Sequence, residues 1–409
     1  MRTSIKEQNG FLWSSFFTFS GMMSLIYWGF LLNLTLYFDL TLSPGYFLYV
    51  TFTYSIGSIM SFLTGKNIFG KWTTKKTIFT TSLIASLTFI ILMICLETIS
   101  SVLAKKILVI CLIGVYSYFN GYFQGVISGL ASICGPSSIS FFNAGTGIAG
   151  FGSNLIAILF VFIFPTSHPS TRVLRLHHQI KAYFCFILFI LSCYLILMKY
   201  FFKKYSHILS FFDDFSKKKQ QRSLLNSLES SDSWKILNSE PKYSLLSVFK
   251  RTIDIWFAMI FTYYISTEIL CFMIPKLTFK FDQNNQLYLL TYFFLNNFGD
   301  CLGSLTPTKW NIQSTFYIHF WTFFRALIKI YFIILLYSQP NIFSHYLLRG
   351  ILNFGLGISN GFLTKNYFCI SSNRFQHPDN QDLSGFLAFF SLILGVSCGT
   401  LSGVLWDVG

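Results

Sequence analysis

Eleven apolar stretches, each long enough to cross a bilayer as a helix, divide this chain and leave little outside them. They lie near 12–37, 45–65, 77–97, 107–131, 138–165, 180–202, 251–275, 286–307, 315–337, 346–371 and 384–406. A backbone in hydrocarbon must satisfy its own N–H and C=O groups, and stretches of this length do so as helices. Composition leaves no room for a soluble surface: of 409 residues, 11% are charged and 53% hydrophobic, and the mean hydropathy is +0.56. The expected fold class is an all-α polytopic membrane protein with eleven transmembrane helices. An odd count puts the two termini on opposite sides.

Lys and Arg set the orientation. Arg2 and Lys6 precede the first stretch, Lys66, Lys71, Lys75 and Lys76 follow the second, and Lys203, Lys204, Lys217, Lys218, Lys219, Lys250 and Arg251 follow the sixth. All lie on one side if the amino terminus is cytoplasmic, although Arg172, Arg175 and Lys181, in an expected loop near 166–181, then face outward. The net charge of +15 comes largely from these segments. Anionic lipid headgroups account for it better than nucleic acid does. The first ten residues are polar and the apolar stretch behind them is too long for a signal-peptide core, so it is expected to stay as an uncleaved anchor.

Residues 203–249 break the pattern with Lys217 to Lys219 and a Ser-rich acidic run from Ser227 to Glu240. This composition reads as a flexible cytoplasmic linker. It separates a six-helix bundle, 1–202, from a five-helix bundle, 250–409, the plan of carriers that close two halves over a midplane site.

Residues 120–152 are built for close helix contact in lipid. Gly121, Gly125 and Gly129 recur every fourth position before a break at Gly135 and Pro136, and Gly145, Ala149 and Ser153 recur after it. Such stripes let two backbones approach. Beside them Gln124, Asn143 and Asn154 would be costly against lipid, so they must face other helices or a water-filled cavity.

Motifs of soluble enzymes are missing: no phosphate-cradling glycine loop, no His-Glu-x-x-His and no nucleophile elbow occur. The nine cysteines show no metal-ligand spacing and read as small packing residues. No catalytic residue, metal or cofactor is expected. The polarity that remains falls at helical spacing. Asn297, Asp300 and Ser304 share one face of the eighth helix, and an Asp at a helix centre costs about 2.5–3.5 kcal/mol to insert. Asn143, Gly147, Gly150 and Asn154 share a face of the fifth. Trp28 offers an indole for stacking on a flat ring. Glu268 is a second acid in the bundle and a possible proton-coupling group, with no basic relay partner evident for it or for Asp300. Packing and interhelical hydrogen bonding are the alternative roles for these residues, and Arg325 in the ninth helix equally suits snorkelling to an interface.

Taken in order, these pieces resemble the equilibrative nucleoside transporter family. Gln124 to Ala131 and Gly145 to Phe151 are similar to its fourth and fifth helices, and Asn297-Phe-Gly-Asp300-Cys-Leu-Gly303 to its eighth-helix Asn-x-x-Asp-x-x-Gly. Arg325 resembles the ninth-helix arginine, Ser359 to Leu363 the tenth-helix motif, and Ser384 to Phe390 the eleventh. The resemblance implies a 6+5 bundle of the major-facilitator type that moves nucleosides or nucleobases by alternating access, in most members without energy coupling, in the plasma membrane or an internal one. It implies that Trp28 and Gln124 contact the base and that Asp300 accepts a hydrogen bond from a ribose hydroxyl. Asn143, Asn297 and Ser304 complete the expected substrate-binding set. Gly125, Gly129, Gly147, Arg325 and Asn360 form the expected structural or gating set.

Two departures bear on the substrate. The family usually has Gln at Thr146 and Arg at Ser304, where the arginine helps the Asp hold the sugar. Its absence leaves Asp300 without its usual counter-charge unless Lys365 supplies one, and weak discrimination between nucleoside and free base is the expectation. The alternatives are a carrier of another polar solute such as a sugar, and a non-transporting intramembrane enzyme or scaffold.

Overall fold

The computed structural model describes residues 10–43, 45–69, 72–164, 169–206, 243–281, 286–306, 310, 314–338 and 345–407. Most of the expected linker, 207–242, lies outside the described residues, as do Arg2 and Lys6. The long helices are α1 (Phe11–Asn33), α2 (Tyr46–Phe69), α3 (Thr74–Thr98), α4 (Val102–Cys134), α5 (Pro136–Ile163) and α6 (Pro169–Lys204) in the first half. In the second half α7 runs as Leu245–Glu268, a π-helical turn Ile269–Met273 and Ile274–Phe281, followed by α8 (Gln286–Ser304), α9 (Thr315–Tyr337), α10 (Tyr346–Asn373) and α11 (Pro378–Asp407).

Local chemistry sets several ends. Thr73, Ser101 and Ser244 cap α3, α4 and α7 by accepting a backbone N–H two to three residues into the helix. The turn from α4 into α5 is a single residue, Gly135, at φ 104°, a conformation that side chains with a Cβ rarely adopt. Pro136 then starts α5 at the position where its missing N–H costs nothing. A loop was expected at 166–181, but from Pro169 onward the chain is already helical. At 36 residues α6 is ~54 Å long, more than a bilayer core requires, so its first turns carry polar residues.

Among the described residues, nine helices are long and apolar enough to cross a membrane by length and composition. The two long helices outside that set are α8 and α10, which hold Asn296, Asn297 and Asp300, and Arg349, Asn353, Asn360 and Lys365. They shield this polarity by packing on each other. A Cβ added at Gly303 would sit 2.1 Å from the Ile358 carbonyl oxygen, and one at Gly361 1.9 Å from that of Asp300. The two backbones therefore touch, with Asn296 Nδ2 donating to the Asn353 carbonyl at 3.1 Å.

Packing repeats between the halves. Helix α1 lies on α5 and α2 on α4; six helices later α7 lies on α11 and α8 on α10. Across the halves α5 meets α8 and α11 meets α2 and α4. The α5–α8 contact is an antiparallel ladder: Gly150 against Asn297, Gly147 against Cys301, and Ser140 Oγ donating to the Ser304 carbonyl. Large apolar side chains such as Phe257, Phe316 and Phe323 stand exposed on the outer surface, as lipid-facing positions should.

Candidate functional site

Two polar clusters, one in each half, hold several of the expected site residues. In the first half, α4 carries Asn120 and Gln124 four residues apart and so on one face. Both amides donate to the Ser24 carbonyl of α1, Asn120 at 2.9 Å. Gln124, 2% exposed, thus spends one N–H on the backbone. One turn along α1 the Trp28 indole packs against Tyr54 of α2, ring centroids 4.6 Å apart, and against Phe47 at 5.9 Å. Tyr54, which sequence reading did not single out, lies beside Asn120 and Gln124. The cluster offers an aromatic wall next to an amide.

In the second half a chain of hydrogen bonds runs from a cation to an acid. Arg325 of α9, 1% exposed, cannot stay buried in an apolar bundle without acceptors. Its Nη1 donates to the Leu356 carbonyl at 3.0 Å and to Ser359, and its Nη2 to Ser266 of α7. Ser266 Oγ is 3.2 Å from Asn360 Oδ1, which also lies 3.5 Å from Arg325. The Asn360 amide then donates to Asp300 Oδ1 at 2.7 Å. Asn360 faces the positive charge with its oxygen and the negative charge with its nitrogen, so each end strengthens the other. Tyr263 flanks the group through Thr364 at 2.9 Å. Asp300 is only part-buried, and its second carboxylate oxygen receives no hydrogen bond among the described residues.

Other expected residues lie elsewhere. Ser304 is fully buried against Gly361. Asn297 donates to the Phe293 carbonyl of its own helix at 3.0 Å and presses on Gly150, while Asn143 is buried on α5 near that same contact between halves. Gly147 belongs to this contact too. Lys365 points to the end of α8, donating to the Thr306 carbonyl at 2.6 Å, rather than to Asp300. Gly125 and Gly129 face α11, where Phe386 and Asp382 would collide with any added Cβ. Glu268 pairs with Lys329 of α9 at 2.5 Å, and Tyr264 accepts from the same Lys329 at 2.7 Å. That basic partner comes from another helix, which helical spacing along α7 does not reveal.

The ends of α4, α10 and α11 close one mouth of the bundle. Ser372 Oγ donates to the Ser132 carbonyl at 3.1 Å, and Gly385 admits Ser132 so closely that a Cβ there would sit 2.2 Å from its Oγ. No comparable packing joins α1 to α7 among the described residues.

Two bundles with repeated packing and buried polar clusters define a multi-pass membrane transporter. The nucleoside transporter family profile matches residues 107–408, and the chain belongs to that family. No curated protein matches it. Among solved structures it is similar to the Escherichia coli fucose:proton symporter, at 15% identity and a TM-score of 0.52, with 97% of this chain and 91% of that one covered. It is also similar to a bacterial homologue of the iron transporter ferroportin in an outward-facing state, at 11% identity and 0.54, with the same coverage. At these identities the likeness is one of fold.

Proposed function

We propose that the chain moves nucleosides and nucleobases by alternating access, with the base held in the first half and the sugar in the second. The observation that carries this is the Arg325–Ser266–Asn360–Asp300 chain, which supports one carboxylate oxygen and leaves the other open to a hydroxyl donor. Ser304 stands where the family usually has an arginine, and Arg325, which resembles the family's ninth-helix arginine, supports Asp300 through Asn360, so we read ribose selectivity as resting on this chain. Trp28, Tyr54 and Gln124 favour a flat heteroaromatic ring over a simple sugar. Asn143, Asn297 and Gly147 act at the α5–α8 contact on which the halves rock, and Gly125 and Gly129 at the gate with α11.

The amino terminus is cytoplasmic in this reading, the closed mouth faces the cytoplasm and the site opens outward. Transport is facilitative because both acids singled out in the bundle are tied to a cation, Glu268 to Lys329 and Asp300 through Asn360 to Arg325. The membrane is the plasma membrane or an internal one. Uptake of labelled adenosine into proteoliposomes tests the reading: saturable uptake blocked by adenine but not by a hexose is expected, and block by the hexose alone would make this a sugar carrier.

A further inference from the structure

The sequence places bases at the ends of α3 and α6, and the fold brings them to one cleft. Lys75 stands in the first turn of α3 with Phe79 one turn deeper; on α6, Lys199 and Lys203 stand one turn apart, with Leu195 one turn deeper than Lys199 and Met198 beside it. Together they line a cavity of about 580 Å³ between the two helices, basic at its outer end and apolar below. The three lysines are exposed, and none makes an ion pair or hydrogen bond among the described residues. Helix α6 holds no acid, and the one acid of α3, Glu97, sits at its opposite end with His177. Among the described residues, then, no acid answers the positive charge of the cleft, and Lys75 Nζ has only the Phe202 ring, its centroid 5.7 Å away. Trp72, whose ring lies 4.4 Å from Lys76 Nζ, and the exposed Tyr200 mark this level as the membrane–water interface.

We propose that this cleft binds one anionic phospholipid, with the phosphate among Lys75, Lys199 and Lys203 and an acyl chain along the apolar wall beneath. A free phosphate would meet the lysines but leave that wall uncovered. Phe79, 44% exposed in a membrane-crossing helix, already faces hydrocarbon. A lipid seated there bridges α3 and α6 and so stabilises the first bundle by mass action.

The test uses the full chain in detergent, titrated with dioleoylphosphatidylglycerol, dioleoylphosphatidylcholine or inorganic phosphate while its melting temperature is followed. Phosphatidylglycerol should raise the melting temperature saturably, and the other two should not. Lys199→Gln and Lys203→Gln should each weaken the lipid about fivefold, whereas Lys250→Gln, an exposed lysine on α7, should leave it unchanged. Phe79→Ser should weaken the lipid without altering melting in its absence. Equal stabilisation by phosphatidylcholine, displacement by inorganic phosphate, or equal loss from Lys250→Gln would overturn the proposal.

Discussion

Asn360 is a neutral residue doing the work of a charge. Replacing it with Ala cuts Asp300 off from Arg325 and leaves each short of a partner. The half-saturation concentration for adenosine should rise by a factor equivalent to about 1–3 kcal/mol, with a smaller change for adenine. Arg325→Lys should fail to restore what Arg325→Ala loses, because a lysine cannot reach Leu356, Ser359 and Ser266 together. Tyr54→Leu removes a ring from the Trp28 wall and should weaken nucleoside and base alike, by about 0.5–1.5 kcal/mol. Uptake kinetics on each variant at matched expression check all three. Sequence alone had marked Asp300, Asn360 and Arg325 separately. It did not reveal that Asn360 joins them, since helical spacing gives the face of a residue but not which helix that face meets.

Among elements, the α4 stripe and the α7–α9 pair carry the testable consequences. Gly129 touches Asp382 of α11, so Gly129→Leu should wedge the closed mouth apart and abolish turnover while the protein still reaches the membrane. Ligand binding without transport is the expected signature. The Glu268–Lys329 pair sits beside the π-turn of α7, and Glu268 is fully buried. Neutralising one partner alone should cost about 3–5 kcal/mol, and Glu268→Gln with Lys329→Met should recover most of it. Thermal unfolding in detergent reads the difference. The close-contact glycines and the Gly135–Pro136 break were legible because they report a backbone need that few other residues meet. The π-turn was not, since one extra residue in a helical turn leaves no compositional mark, and α6 outran its expected start because its polar first turns read as a loop.

At the scale of the whole molecule, helix packing repeats six helices on, and in the proposed reading the two halves rock on the α5–α8 ladder with a base cluster in one and a sugar cluster in the other. In that reading neither half holds the whole substrate, and closure around it joins the two clusters. An uncoupler should leave adenosine uptake unchanged, and accumulation above the equilibrium ratio would mark an energy-coupled carrier instead. The division of labour between the halves is tested most directly by competition of adenosine, 2′-deoxyadenosine and adenine against labelled adenosine in the natural protein and in Asp300→Asn. The substitution should weaken adenosine by about 1–3 kcal/mol, remove its advantage over deoxyadenosine, and leave adenine nearly unchanged. An equal loss for all three, or no loss for adenosine, would contradict a sugar site at Asp300.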